Sequence, residues 1–205
     1  MKNLKKFWLK KSKIIKWKVE PKLAFKKKSD NKILWYPDGK LNIAENCLMH
    51  SADKKKTAII SISKEKKIKK YSYLELNNIV NNFSDYLNNI SKKNNYKSVL
   101  IHSSASIVSA VSMLTFAKLG IHFSVVFEDL PEKALDIRVK LIKPDLIITR
   151  SNLKCDFFIK SLHKNGLRKS IIINTKKKSN SKKVLYFDFE KKKLNSKNYF
   201  NPFNS

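Results

Sequence analysis

The chain has 205 residues, 42% of them hydrophobic and 11% aromatic, with a formal net charge of +29. That length and apolar share suit one globular domain with a real core, with a looser end, and exclude a disordered polyelectrolyte. Glycine occurs only at positions 39, 120 and 166, which excludes both a Walker loop and a G-x-G-x-x-G turn, since each needs small residues where backbone amides approach phosphate.

A charge this large suggests nucleic acid or an anionic surface as partner. The kind of charge argues otherwise. There are 42 Lys against three Arg (Arg138, Arg150, Arg168), with 20 Asn. Phosphate and base recognition favour the forked guanidinium of Arg, whereas a Lys, Asn and Ile excess follows from an A+T-rich coding sequence. Nucleic acid is therefore expected only as a nonspecific polycation partner. Cys47 and Cys155 form no disulfide framework or metal-ligand spacing and read as small buried hydrophobes in a reducing compartment. Residues 98–117 carry no formal charge, yet they are rich in Ser and include His102, so they read as a strand, a turn and a core helix rather than a membrane span. With no secretory signal pattern, a soluble cytoplasmic protein is expected.

In chain order, residues 1–34 are a basic N-terminal segment in which a helix over 5–18 would place Trp8 and Ile15 on one side, with Trp packed on a neighbouring domain. Pro37-Asp38-Gly39 reads as a turn, Gly39 supplying a positive φ, and Asn42 as the N-cap of a helix containing Ala44 and Leu48. Residues 57–63 alternate like a strand, followed by a Lys-rich turn over 64–70. Residues 72–90 are the clearest helix: Ser72 and Glu75 form a capping box, and Leu76, Ile79, Val80, Phe83, Leu87 and Ile90 repeat on one face.

The organising stretch is residues 120–127, read as the middle strand and hydrophobic centre of a β-α-β-α-β run over 99–149. Helix 106–119 stops at Gly120, a strand covers 123–127, and Asp129-Leu130-Pro131 starts a helix that ends before Pro144. Strands at 145–149 and 170–174 follow, with a helix at 155–164 between them, then a charged turn at 176–183 and a strand at 184–189. Alternating strands and helices predict an α/β fold, a parallel sheet flanked by helices. Residues 35–190 form this unit, and 191–205 read as a polar, poorly ordered tail.

No catalytic constellation emerges. The four His are scattered, so no metal site is expected. His102 and His122, placed at strand ends, could face a ligand but read better as satisfied by backbone. Glu128-Asp129 reads as helix-start chemistry, Asp129 as N-cap, rather than as a general base. The serines between 103 and 112 lack a G-x-S-x-G context.

Several segments then point to one family. Residues 35–48, WYPDGKLNIAENCL, resemble the AMP-forming short-chain acyl-CoA synthetases of the adenylate-forming family, especially acetyl- and propionyl-CoA synthetases, with their Leu-Asn-x-Ala-x-Asn-Cys-Leu. Phe7-Trp8 with Ile15 and Trp17 is similar to their N-terminal Phe-Trp segment. Residues 57–60 and 71–75 (YSYLE) look like the family's Ala-Ile-Ile strand and Tyr-Thr-Tyr-x-Glu-Leu helix start. Residues 117–127, AKLGIHFSVVF, are similar to Ala-Arg-Ile-Gly-Ala-Ile-His-Ser-Val-Val-Phe, and Ala134-Leu135, Arg138 and residues 143–149 (KPDLIIT) continue the pattern. The match runs in order over residues 7–150.

The resemblance implies the N-terminal part of the large domain of an adenylate-forming enzyme. It also implies a two-step reaction: ATP and a carboxylate give acyl-AMP and pyrophosphate, then CoA displaces AMP. The full-length family uses ATP, Mg and CoA. Its phosphate loop, acyl pocket and C-terminal adenylation lysine lie beyond residue 205, so no catalytic or ATP-binding residue is assigned, and the chain is expected to be inactive alone. It would be an eroded copy, one half of an enzyme whose remainder is separately encoded, or the product of a frameshift that is read through. For CoA, the resemblance implies Phe127, Arg150 and Lys154, but Glu128-Asp129 replace the family's Gly-Gly and the following loop lacks its glycines. CoA binding is expected to be weak if present. The alternative is a basic α/β module binding nucleic acid or an anionic surface.

Overall fold

The computed structural model describes residues 2–28, 32–49, 53–63, 65–90, 96–176 and 181–189. The expected tail at 191–205 lies outside the described residues, as does part of the charged turn at 176–183. Two units divide the chain, Met1–Ala52 and Asp53–Ser205.

In the first unit, helix α1 (Lys2–Ser12) starts earlier and stops sooner than the expected 5–18. Ser12 ends it: its hydroxyl donates to the Leu9 carbonyl at 2.8 Å, and its own carbonyl accepts from Trp17 Nε1 at 2.8 Å. Short strands β1 (Trp17–Val19), β2 (Phe25–Lys27), β3 (Ile33–Trp35) and β4 (Lys40–Leu41) make two antiparallel pairs, β1 with β4 and β2 with β3. The tryptophans pack within this unit: Trp8 lies edge-on to Trp35 at 5.2 Å and Trp17 to Tyr36 at 5.2 Å. Helix α2 (Ile43–Met49) is capped as expected, with Asn42 Oδ1 accepting from the Glu45 amide at 3.2 Å. The turn before it differs in mechanism. The positive φ, 43°, belongs to Tyr36, while Gly39 is needed for space, because a Cβ there would lie 2.8 Å from Trp17 Cζ3.

The second unit opens with an antiparallel hairpin, β5 (Thr57–Ile62) and β6 (Ile68–Ser72), so the expected Lys-rich turn over 64–70 is strand from Ile68 onward. Helix α3 (Tyr73–Ile90) carries the expected capping box: Glu75 N donates to Ser72 Oγ at 3.2 Å and Ser72 N to Glu75 Oε2 at 2.9 Å. Its periodic stripe buries Leu76, Val80, Phe83, Leu87 and Ile90.

Then come β7 (Ser98–His102), α4 (Ile107–Leu119), β8 (His122–Val126), α5 (Glu132–Ile142), β9 (Leu146–Thr149), α6 (Asn152–Lys164), β10 (Ile171–Asn174) and β11 (Val184–Tyr186). The five strands form one parallel sheet in the order β11-β10-β9-β7-β8. The chain steps outward from β7 to β8, returns across β7 to β9, and continues to the far edge. Right-handed crossovers taken in opposite directions place helices on both faces. On one face Leu135 and Val139 of α5 and Phe158 and Leu162 of α6 cover Leu100, Val126, Ile147 and Ile172. On the other, Phe83 of α3 meets Phe116 of α4 at 6.1 Å and Phe187 at 4.6 Å.

This topology corrects the reading of residues 120–127. They are the middle strand of the run in sequence but an edge strand in space, and β7 and β9 form the buried centre. Gly120 does end α4 in the left-handed conformation, at φ 70°. The N-cap of α5 is Pro131, with no side-chain cap bond, so Asp129 does not play that part. Cys155 is buried, but Cys47 is exposed. No helix among the described residues is long and apolar enough to cross a membrane.

Candidate functional site

Strand order 8-7-9-10-11 puts a switch point between β7 and β9, from which the chain runs in opposite directions. Ligands of open α/β sheets lie beyond the strand carboxyl ends at such a place. Register fixes what stands there: Val126, His102, Thr149 and Asn174 form one row across β8, β7, β9 and β10. Phe127, Ser103 and Arg150 come next along their strands.

At the switch point His102 is fully buried and its Nδ1 lies 2.9 Å from Thr149 Oγ1. That hydroxyl accepts from the Ser151 amide at 3.1 Å and can still donate its proton to the ring. His102 is thus met by a side chain at Nδ1, and the backbone of Glu128 also acts on the ring. Burial lowers its pKa, opposed by the charge and backbone of Glu128 and assisted by Lys154. The ring packs edge-on to Phe158 at 5.2 Å. His122 lies at the amino end of β8, away from this edge.

Serines close the loop after β7. Ser106 and Ser109 form a reciprocal capping box on α4, with Ser106 N donating to Ser109 Oγ at 3.0 Å, and Ser103 Oγ lies 3.1 Å from Ser106 Oγ. These hydroxyls bond the loop backbone and one another.

Of the three residues expected at a CoA site, Phe127 stands 67% exposed where β8 ends. Arg150 leaves β9, two strands away, roughly 10 Å at the usual strand spacing. Lys154 sits in the first turn of α6, its amide on Ser151 Oγ at 3.3 Å, and its Nζ is engaged by Glu132 Oε1 at 3.1 Å. The β8–α5 connection supplies two carboxylates, Glu128 and Asp129, and Glu132 in the first turn of α5 engages Lys154. These carboxylates oppose a phosphate-bearing ligand. No sequence spacing signalled the Glu132–Lys154 pair, because it depends on α5 and α6 lying side by side. No group of three or more His, Cys, Asp or Glu able to hold a metal occurs among the described residues.

Comparison with known proteins identifies the frame around this edge. Residues 1–47 match the family model described as the acetyl-coenzyme A synthetase N-terminus. The acetyl-coenzyme A synthetase of Leptospira biflexa is 32% identical over 149 residues, which is 70% of this chain and 23% of the relative. That of Desulfatibacillum aliphaticivorans is 33% identical over 150 residues, again 70% and 23%. The chain corresponds to the N-terminal region of an acyl-CoA synthetase. The solved acetoacetyl-CoA synthetase from Streptomyces lividans shares the fold, with a TM-score of 0.74 at 14% identity over 91% of this chain and 30% of that one. The synthetase region therefore spans about a quarter of the length of the curated relatives it matches.

Proposed function

We propose that this chain is the N-terminal part of an acetate– or propionate–CoA ligase, contributing the CoA side of the site and no adenylation chemistry of its own. One observation carries the reading: an ordered match over 70% of the chain to acetyl-CoA synthetases of which it spans only 23%. The groups that adenylate a carboxylate in such enzymes are implied to lie in the part not matched. The three glycines present, each isolated, cannot build a phosphate-cradling loop in their place. Alone, the chain is inactive in the overall reaction of ATP, carboxylate and CoA.

Phe127, Arg150 and Lys154 are the residues we assign to the CoA nucleotide. Phe127 offers a ring for stacking and the two cations offer charge to phosphate. Glu128 and Asp129 at the end of β8 repel that phosphate, so nucleotide binding is weak. Titration of the purified chain with 3′,5′-ADP, followed by backbone amide shifts, tests this. Weak, unsaturated shifts confined to residues 127–129 and 150–154 are expected. Tight saturable binding, or shifts located elsewhere, would overturn the assignment.

A further inference from the structure

We propose that His102 is a positioning residue for the CoA edge: from the end of β7, its two ring nitrogens tie the segment that carries Phe127 to the segment that carries Arg150 and Lys154. The proposal rests on the ligase reading above and adds to it a residue that itself touches no ligand.

Strand β7 lies between β8 and β9, so the two segments leave the sheet on either side of His102. The backbone ladder carries them only to the last row. Ser103 N donates to the Val126 carbonyl at 3.1 Å, after which the β8–α5 connection turns on itself, Leu130 N donating to the Phe127 carbonyl at 3.3 Å. On the other side Thr175 N donates to the Thr149 carbonyl at 2.9 Å, and the chain then turns into α6. Of the polar side chains in that row, Asn174 is turned to Cys155 Sγ at 3.3 Å. His102 reaches both ways.

Toward β9, Nδ1 lies 2.9 Å from Thr149 Oγ1, which accepts from the Ser151 amide at 3.1 Å. Ser151 Oγ in turn accepts from the Lys154 amide at 3.3 Å. These links in series run from the ring to the first turn of α6, past Arg150. Toward β8, a backbone hydrogen bond to Glu128 favours the protonated ring against burial. In such a bond the ring N–H donates, and with Nδ1 engaged by Thr149 the donor is Nε2. One tautomer of the neutral ring meets both demands: Nε2–H donates toward Glu128, and Nδ1 accepts from the Thr149 hydroxyl.

Protonation breaks the series. Both ring nitrogens then donate, so Thr149 Oγ1 has to accept from the ring as well as from the Ser151 amide, and its own proton loses its acceptor in a fully buried place. The groups facing the ring set where this happens. The Glu128 charge opposes burial and the Lys154 charge adds to it, while Phe158 of α6 presents only an apolar edge. Cys155, on the same helix, is buried, and burial pushes its thiol up, so it stays uncharged where the ring titrates. The neutral ring holds the two segments together, and acid loosens them.

Nuclear magnetic resonance of the purified 205-residue chain tests the tie. Ring nitrogen shifts at pH 7.5 should show His102 protonated at Nε2 and bare at Nδ1. Between pH 8 and pH 5 the Glu128 and Ser151 amides should shift together, with the midpoint of the ring itself. Affinity for 3′,5′-ADP at pH 7.5 supplies the functional measure. Thr149→Ser, which keeps the hydroxyl, should bind within about twofold of wild type, whereas Thr149→Val should bind at least threefold more weakly with an unchanged far-UV spectrum. If Thr149→Val fails to fold, the wild-type tautomer and the shared midpoint still decide. Three results overturn the proposal: a ring protonated at Nδ1 at pH 7.5, Glu128 or Ser151 amides that do not follow the ring, or Thr149→Val binding as tightly as wild type. Shifts caused by 3′,5′-ADP elsewhere on the chain overturn the CoA assignment alone, and the tautomer and midpoint then decide whether the ring ties the two segments.

Discussion

Glu132 Oε1 lies 3.1 Å from Lys154 Nζ, so the first turn of α5 holds the cation that the first turn of α6 would otherwise offer to a ligand. Glu132 is 56% exposed at its side chain, and a pair of this kind contributes about 0–1 kcal/mol to stability. Its effect on an incoming anion is the more informative quantity. Glu132→Gln should leave the melting temperature nearly unchanged and strengthen 3′,5′-ADP binding roughly two- to fivefold at low salt, the range that about 0.4–1 kcal/mol represents. Calorimetric titration of both proteins at two salt concentrations checks it; the gain should shrink as salt rises.

His102 gives the fold a pH dependence whose sign can be worked out. Burial lowers its folded pKa below the ordinary value of about 6.5. Between that value and the folded pKa, the unfolded chain binds a proton that the folded ring resists, so stability falls as the pH drops below about 6.5. Asp38 and Asp136 act in a separate, more acidic window. Burial of Asp38 is outweighed by the Lys22 and Leu23 amides, and Asp136 is held down by Lys164 and Ser161. Their contribution is lost only as the pH falls through their folded values, below about 3.9. Urea midpoints between pH 8 and 5 should show the His102 slope.

Removing the histidine's partner should be costly at any pH. Thr149→Val leaves a fully buried ring nitrogen and the Ser151 amide without the hydroxyl they share, for about 1–3 kcal/mol. The same urea series on this variant measures it.

Gly39→Ala tests the first unit. The added Cβ meets the Trp17 ring at 2.8 Å and Pro21 Cβ at 3.1 Å. The ring cannot easily yield, being held by its Nε1 bond to Ser12 and packed on Tyr36. Overpacking of this kind costs about 1–3 kcal/mol. All three tryptophans lie in Met1–Ala52, so the tryptophan fluorescence transition reports the shift directly.

Most elements of the fold were legible in the sequence because each carries its own local signal. The Ser72–Glu75 box, Asn42, the Ser106–Gly120 helix limits and the apolar stripe of α3 are all decided within a few residues. What was not legible depends on distant parts of the chain. Strand order made residues 122–126 an edge rather than a centre, since the return crossover to β9 leaves no mark in the strand itself. The end of the Lys-rich stretch, residues 68–70, joins β6 because pairing with β5 overrides its turn-like composition. Gly39 was read correctly as required, but for backbone conformation, whereas the cause is a tryptophan 22 positions earlier. The Glu132 partner of Lys154 and the Thr149 partner of His102 appear only once helices and strands are side by side.

The central claim is that this N-terminal synthetase region performs no adenylation alone. Acetate-dependent ATP–pyrophosphate exchange by the purified 205-residue chain, with Mg present, tests it most directly. The account predicts no exchange above the protein-free blank, with or without CoA. Exchange that depends on acetate and on the protein would contradict it.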